Sequence, residues 1–125
     1  MTARPPSETA TSFAWTEIEP DHPRKGIARH RIMGEHSMVC RMDVDEGFHA
    51  DPHVHANEQI AILVEGRVRF RVGTIGSDEF RDEVIGPGQV IVLPPNVPHG
   101  ATALEPSVLF EVFSPPSEKT GLDQG

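Results

Sequence analysis

Hydrophobic and polar positions alternate over short stretches of this chain, and turn-forming residues separate the stretches. A period of two is typical of β-strands with one buried face, because successive side chains of a strand point to opposite faces. No segment of useful length shows the period of an amphipathic helix. Many short strands at this spacing predict a sandwich or a barrel. The candidate strands are 27–33, 37–44, 52–55, 58–64, 67–73, 79–84, 90–93, 101–104 and 107–113.

The two ends of the chain differ from this core in composition. Residues 1–14 are rich in Thr, Ser, Pro and Ala, and we expect them to form a flexible or strand-swapped arm. Residues 114–125 are rich in Pro, Ser and Gly, and we expect them to form a flexible tail. The region between them, residues 15–113, is predicted to be one all-β domain.

Composition narrows the partners that this domain can have. The chain has 125 residues and a formal net charge of −8, which argues against nucleic-acid binding, since that binding relies on clustered Lys and Arg. No apolar run approaches the ~20 residues of a membrane span, and no signal-peptide core follows Met1. We therefore expect a cytoplasmic protein without a membrane partner. The single cysteine, Cys40, is interpreted as a small buried side chain.

Three histidines and a glutamine have the spacing of a metal site. His53 and His55 are two residues apart, so they would share one face if this segment were a strand. Gln59 begins the next apolar stretch, and His99 follows a second apolar stretch and a proline-rich turn. Isolated histidines are usually solvated or hydrogen-bonded, but these four side chains together predict one divalent transition-metal ion. Their donors are compatible with Zn, Ni, Fe, Mn or Cu, and the sequence does not choose among these.

The two segments that carry these ligands resemble the two sequence motifs of the cupins. The first motif is matched by Gly47, His53, His55 and Gly66, with Gln59 where cupins usually have glutamate. The second is matched by Gly88, Pro94 and His99, with Asn96 in place of a glycine and Ala103 in place of an asparagine. Asparagine tolerates a positive φ better than most residues, so the turn at Asn96 can be kept. The resemblance implies a small single-domain cupin, an all-β jelly-roll barrel or double-stranded β-helix.

Within the cupins, the chain is most similar to bacterial proteins that linearise unsaturated uronates and to small cyclases of aromatic polyketides. Both groups are non-oxidative. In the uronate group an aspartate, a phenylalanine two residues later and an arginine four residues after that serve the substrate. The corresponding residues here are Glu111, Phe113 and Ser117. Because a guanidinium is the best group to hold a carboxylate, the missing arginine makes Arg29 and Arg31 the candidates for that role.

The neutral ligand at position 59 bears on the chemistry. Gln59 in place of glutamate leaves a bound dication more electrophilic, which favours Lewis-acid work on a carbonyl or an enol. We therefore predict a metal-dependent enzyme that isomerises, cyclises or tautomerises a small-molecule substrate, with Glu111 and His49 moving protons. Two alternatives stay open. One is a mononuclear metal dioxygenase with the same ligands, and the other is a cupin that binds a metal and a small molecule without catalysis.

Several of these side chains also have a purely structural interpretation. Glu111 interrupts an apolar strand, so it either faces the interior, where a carboxylate is costly, or faces solvent from an edge strand. His49 is compatible with a surface loop. An arginine row alternates with apolar residues, which is typical of the solvated face of a half-buried strand rather than of an anion site. The row is Arg67, Arg69 and Arg71.

The segment that contains Phe13, Trp15 and Ile18 is apolar enough to pack on a second subunit. Small cupins commonly pair, an exposed strand edge favours such pairing, and most oligomers close by a two-fold axis. We therefore expect a homodimer.

Overall fold

The computed structural model describes residues 9–123, in which nine strands make up most of the secondary structure. They are β1 (Ile27–Met33), β2 (Met38–Val44), β3 (His49–His53), β4 (Glu58–Glu65), β5 (Val68–Val72), β6 (Arg81–Ile85), β7 (Val90–Leu93), β8 (His99–Ala103) and β9 (Ser107–Ser114). A short 3₁₀ turn over Trp15–Glu17 precedes them. The prediction of an all-β jelly roll is confirmed, and each predicted strand corresponds to an observed one.

The strands form two antiparallel sheets that enclose one core. The larger sheet has the order β1-β2-β9-β4-β7, and the smaller has the order β3-β8-β5-β6. Every second residue of β2 and of β9 is buried, as the alternating sequence pattern requires. The buried apolar faces of the two sheets meet in the middle, which is the arrangement that removes both from water.

Strand β3 differs from its predicted position, and the difference affects the metal site. It covers His49–His53 rather than 52–55, and its register with β8 shifts between Ala50 and His53. Pro52 has no backbone N–H to donate to the ladder, which accounts for the interruption at this point. His55 therefore lies in the loop after β3, and the expectation that His53 and His55 share one face of a strand is wrong.

Two turns of the barrel depend on unusual backbone angles. Gly66, between β4 and β5, has a φ of 93°, and a Cβ atom there would lie 2.1 Å from Oγ of Ser107, so only glycine fits. Asn96 has a φ of 62°, as expected for the residue that replaces the glycine of the second motif. Its N–H donates to the carbonyl of His55 at 2.9 Å, so this turn holds the loop that carries His55.

Both ends of the chain contact the barrel as far as they are described. Trp15 stacks on Phe110, with ring centroids 5.7 Å apart, and Ile18 is buried, so this segment lies on the outer face of the larger sheet of its own chain. Residues 1–8 of the predicted arm lie outside the described residues. After β9, Thr120 and Leu122 are buried, so the predicted tail lies against the barrel at these residues. The flexibility of both ends stays a prediction.

The arginine row of β5 has the solvated position that its alternation predicts. Arg69 and Arg71 are exposed, and Arg69 pairs with Asp82 of β6 at 3.1 Å. Exposed ion pairs of this kind contribute little to stability. Among residues 9–123, no helix has the length and apolarity that crossing a membrane requires.

Candidate metal centre

His53, His55 and His99 converge at one point of the barrel. His53 ends β3 and His99 begins β8, and these two residues are paired in register. His55 reaches the same point from the following loop. The ring of His99 lies 4.6 Å from that of His53 and 4.8 Å from that of His55, measured between centroids. One ligand nitrogen of each ring lies within 4.8 Å of the other two, which is close enough for all three to bind one ion.

Backbone carbonyls fix the orientation of all three rings. The Nδ1 atoms lie 2.9 to 3.1 Å from the carbonyl oxygens of Asp51, Asn57 and Val97. A carbonyl oxygen only accepts, so each neutral ring carries its proton on Nδ1 and keeps a lone pair on Nε2. Histidines that bind metals typically have this second hydrogen bond, because it holds the tautomer and the ring orientation.

Gln59 brings a fourth donor to this point from β4. Its Oε1 lies 3.1 Å from Nε2 of His55, while its Nε2 donates to Oε1 of Glu111 at 2.9 Å. The amide oxygen and the imidazole nitrogen therefore face each other with two lone pairs, which is unfavourable unless a cation lies between them. Nε2 of His99 is buried and has no hydrogen-bond partner among the described residues. Because buried polar atoms are nearly always paired, both observations fit a metal ion held by the four predicted ligands.

The protonation state of the histidines also fits a metal. Burial, followed by the charge of His53, lowers the pKa of His99 from 6.5 to about 4. Burial lowers the pKa of His53 as well, although its hydrogen bond to Asp51 opposes the shift. Only the neutral imidazole binds a metal, so both rings are in the binding form at neutral pH.

Glu111 faces the interior of the barrel, which decides between the two interpretations that the sequence leaves open. Strand β9 lies between β2 and β4, and Glu111 is paired in register with Cys40 and Ala61. Its residue exposure is 8%. Burial raises the pKa of Glu111 to about 7, although the hydrogen bond from Gln59 opposes the shift. The interpretation as a solvated residue of an edge strand is therefore wrong.

The contact between Gln59 and Glu111 explains the departure from the usual cupin motif. A glutamine at position 59 can donate an N–H to the carboxylate of Glu111, whereas two carboxylates at this distance would repel each other. Glu111 also fixes which end of the amide faces the histidines, since the nitrogen is used and the oxygen is left. Gln59 and Glu111 therefore work as one unit.

A cavity of about 50 Å³ lies beside the ligands, and its walls are mostly apolar. This space holds a few water molecules or one small chemical group. Its polar atoms come from five side chains, those of His53, Gln59, His99, Glu111 and Thr120. Apolar residues that line it include Met42, Phe48, Phe70, Leu109 and Leu122.

Five of the predicted site residues are absent from the cavity wall, namely His49, His55, Phe113, Arg29 and Arg31. His49 is exposed on the outer face of β3, where its ring bonds Thr102 at 2.7 Å and Asp51 at 2.9 Å. The prediction that His49 moves protons conflicts with this position, because alternation along β3 turns its side chain away from the interior. Phe113, a predicted substrate contact, is fully buried and packs edge-on against the ring of His55 at 6.0 Å. It supports a ligand rather than a substrate.

Arg29 and Arg31 point inward from β1, but their guanidinium groups already have partners. Arg29 uses all five of its N–H groups, two on Asp21, two on Asp123 and one on Thr120, at 2.7 to 3.0 Å. Burial alone would lower the pKa of Arg29, but the bonds to Asp123 and Asp21 raise it, so the group stays charged. Arg31 donates to the carbonyl of Glu118 and to Asp21. The predicted substrate contact with Arg29 therefore conflicts with this structure, where no donor of Arg29 is left.

The residues after β9 that reach the site are not among those that the sequence predicts. Thr120 and Leu122 line the cavity, and Asp123 holds Arg29. The available signal was weak, because a single leucine within a Pro, Ser and Gly-rich segment has no periodicity.

Comparison with known proteins agrees with this fold. KdgF from Halomonas sp. is similar at 28% identity with a TM-score of 0.78, over 88% of this chain and 97% of that chain. An RmlC-like cupin from Shewanella frigidimarina is similar at 27% identity with a TM-score of 0.71, over 87% and 95%. Oxalate decarboxylase from Bacillus subtilis, which has Mn(II) centres, shares the fold with a TM-score of 0.76 at 19% identity, over 91% of this chain and 32% of that one.

None of the curated proteins matches the chain. The sequence model of the cupin family, however, matches residues 33–122, which contain both motifs and all four ligands. The chain belongs to the cupin family.

Proposed function

We propose that this cupin is a metal-dependent enzyme that acts on a small carbonyl or enol substrate by isomerisation, cyclisation or tautomerisation. The observation that supports the proposal most directly is the position of Glu111. Its carboxyl group is buried in the wall of the cavity that His53, Gln59 and His99 also line. A buried carboxyl is costly for the fold. Orienting Gln59 uses one of its two oxygens, and an enzyme that moves protons also has a use for the other.

In this proposal the metal ligands serve to stabilise negative charge on the substrate, and Glu111 transfers protons. His53, His55, Gln59 and His99 would hold a divalent ion, which would supply Lewis-acid chemistry toward a carbonyl or an enol. Gln59 bonds to one carboxyl oxygen of Glu111, which leaves the second oxygen to take a proton from the substrate and return it elsewhere. A pKa of about 7 suits a group that does both at neutral pH. The apolar walls limit the amount of water that competes for these protons.

The substrate class follows from the same features. The resemblance to uronate-linearising and polyketide-cyclising cupins, and the similarity to KdgF over nearly all of its length, favour unsaturated uronates and aromatic enols as first candidates. While Asp21, Asp123 and Thr120 occupy all five donors of Arg29, a uronate carboxylate has no donor of Arg29 to bind, so that substrate would require the release of Asp123 and Thr120.

The central test is Glu111→Gln, which keeps the shape and the acceptor for Gln59 but removes the titrating group. We expect turnover to fall by about 10²-fold or more, which is the usual contribution of a general acid or base, while metal content stays stoichiometric. His49→Gln, on the outer face, is the matched control and should leave turnover unchanged. Equal activity of wild type and Glu111→Gln would contradict the assigned role.

The metal and oxygen dependence of turnover separates this proposal from the alternatives. The zinc-loaded protein should be active with and without oxygen, because Lewis-acid chemistry needs no redox metal. Activity that disappears anaerobically, or that appears with iron or copper but never with zinc, would establish a dioxygenase instead. Stoichiometric metal and ligand binding without turnover of any candidate would establish a binding protein.

We also propose a cytoplasmic homodimer. Val64, Val90 and Val92 are exposed on the outer face of β4 and β7, and β7 is an edge strand of the larger sheet. An apolar face beside an open edge favours pairing with a second copy. Trp15 and Ile18 pack on their own chain, so the exposed valines are the better candidate surface. Light scattering that gives the monomer mass of 13.7 kDa at micromolar concentration would contradict the dimer.

A further inference from the structure

We propose that residues 115–123, which we call the C-terminal strap, are a gate that closes the mouth of the barrel over the metal ligands and has to lift before an ion or a substrate can enter. The inference rests on the proposed metal site for its functional meaning, but the gate itself follows from contacts that involve no metal.

Three arginines from the first part of the chain hold the strap down. Arg31 donates to the carbonyl of Glu118, and Arg24 donates to the carbonyl of Leu122 at 2.6 Å. Arg29 binds the side chains of Thr120 and Asp123, and its two bonds to the Asp123 carboxylate are 2.8 and 3.0 Å long. Asp123 is thus the one side-chain carboxylate through which the described strap binds Arg29, and charge-assisted paired bonds of this kind are strong.

The strap lies directly on a predicted metal ligand. Gly121 has a φ of 88°, and a Cβ atom there would lie 2.2 Å from Cδ2 and 2.3 Å from Nε2 of His53. The strap can take this path only because residue 121 has no side chain. Its backbone therefore covers the side of the His53 ring that carries the free lone pair.

The residues on either side of Gly121 form part of the cavity wall. Thr120 and Leu122 point inward and line it, and both are buried. With the strap in place, the cavity of about 50 Å³ is smaller than any sugar acid or polyketide ring, for which several times this space is needed. Displacement of the strap would remove Thr120, Leu122 and Gly121 from the mouth together, since they are consecutive.

The holding contacts are polar and few, which suits a part that moves. Few apolar side chains anchor the strap, with Leu122 as its member of the core cluster. The low-stability parts of proteins, including lids, are those with few buried apolar contacts. Loss of one charged bond pair should therefore shift the strap strongly toward the open position.

The test measures access to the cavity in metal-free protein by reaction of histidine rings with diethyl pyrocarbonate, read residue by residue by mass spectrometry. In the wild type, His53 and His99 should react far more slowly than His36, whose side chain is 89% exposed. Asp123→Asn should raise their rates roughly tenfold or more, because it removes a charged partner of Arg29. Glu118→Gln makes the same charge change on the strap, but its side chain is exposed and only its carbonyl binds Arg31, so it should leave the rates within about twofold.

Two further measurements keep the result unambiguous. His30, which is under Trp15 on the outer face, reports general unfolding and should react equally in all variants. Gly121→Ala forces the strap off His53 by contact alone and should raise the same two rates. Fast reaction of His53 and His99 in the wild type, or no acceleration in either Asp123→Asn or Gly121→Ala, would overturn the gate.

Cobalt(II) binding then connects the gate to the metal site. An easier opening should accelerate uptake and release of cobalt by similar factors in Asp123→Asn, so that the dissociation constant moves by less than about threefold. If the wild type bound no cobalt, the proposed metal function would fail, whereas the histidine reactions would still decide the gate. Faster uptake with unchanged release would overturn the gate, because it would show a change of affinity instead.

Discussion

The barrel contains two clusters of polar side chains, and they differ in how completely their donors and acceptors are hydrogen-bonded. In the arginine cluster, Arg29 directs five N–H groups at Asp21, Asp123 and Thr120, and every donor has an acceptor. In the histidine cluster, Nε2 of His99 has no partner in the described chain, and Nε2 of His55 faces the amide oxygen of Gln59. The first cluster is complete by itself, and the second is not.

This difference distinguishes polar groups that stabilise the fold from polar groups that bind a ligand. A buried polar group without a partner costs about 1–3 kcal/mol, so selection for stability alone removes it. Such a group persists where a ligand completes it, and active sites are where these exceptions collect. We therefore assign the arginine cluster to holding the fold and the strap, and the histidine cluster to a metal.

The largest expected effect comes from removing the guanidinium of Arg29, on which the arginine cluster is built. Arg29→Met should lower the free energy of unfolding by about 3 kcal/mol, because it removes five charge-assisted hydrogen bonds and leaves the partly exposed carboxylates of Asp21 and Asp123 without their main partner. Urea denaturation of metal-free protein measures this. Arg69→Met removes an exposed ion pair with Asp82 and should cost less than about 1 kcal/mol. Similar losses in the two variants would show that burial of the Arg29 cluster has no special role.

Removal of ligands from the histidine cluster should reduce metal binding rather than the stability of the metal-free protein. At a zinc concentration 100 times the dissociation constant, zinc should stabilise the wild type by about 2.7 kcal/mol. The double variant His53→Ala, His99→Ala should show no such gain and no metal by elemental analysis of untagged protein. His36→Ala, which removes an exposed ring, should behave as wild type. Zinc stabilisation that survives the double variant would place the metal elsewhere.

The pairing of Gln59 with Glu111 can be tested by a swap. Gln59→Glu should destabilise the metal-free protein by roughly 1–3 kcal/mol, since two buried carboxylates then compete for one site. The double variant Gln59→Glu, Glu111→Gln restores a donor opposite an acceptor and should recover most of this loss. The interaction energy from the four proteins, measured by urea denaturation, gives the strength of the pair. Additive effects would mean that the two residues act independently.

The smallest effect concerns the pH dependence of the arginine cluster. The hydrogen bond from Arg29 holds the pKa of Asp123 below its ordinary value of 3.8, and Arg29 does the same for Asp21 against the opposing effect of burial. Because the folded-state pKa is depressed, the stabilising contribution is complete above the unfolded-state value and is lost as the pH falls through the folded-state value. Asp123→Asn should therefore lose less stability than the wild type between about pH 4 and pH 2. Parallel curves of urea midpoint against pH would contradict this.

Local sequence signals were sufficient for the strands and the ligands. Short extended stretches between turn signals located all nine strands, although β3 is shifted from its predicted bounds. The spacing of the two motifs identified His53, His55, Gln59 and His99, and the structure brings these four side chains together. Asn96 also has the positive φ that its place in the second motif predicts.

The sequence predicts less well which way an individual side chain points. His49 was expected at the site, but the β3 register places it outside, and a shift of one residue reverses every side chain of a strand. His55 reaches the cluster from a loop, through a turn held by Asn96, and not from the strand that its spacing predicts. Both errors come from the interruption of β3 near Pro52, whose extent depends on pairing with β8.

The sequence by itself determined the fold class and the order of the strands along the chain and predicted the four candidate metal ligands, because each of these depends on residues close together or on fixed spacing. Only the tertiary structure decided that Glu111 faces the interior, that Arg29 is saturated and that Gly121 lies on His53. These are contacts between residues 52 to 94 positions apart, such as Gln59 with Glu111 and Arg29 with Asp123. The partner of a buried charge is chosen by the packing of distant segments, and no local pattern records that choice.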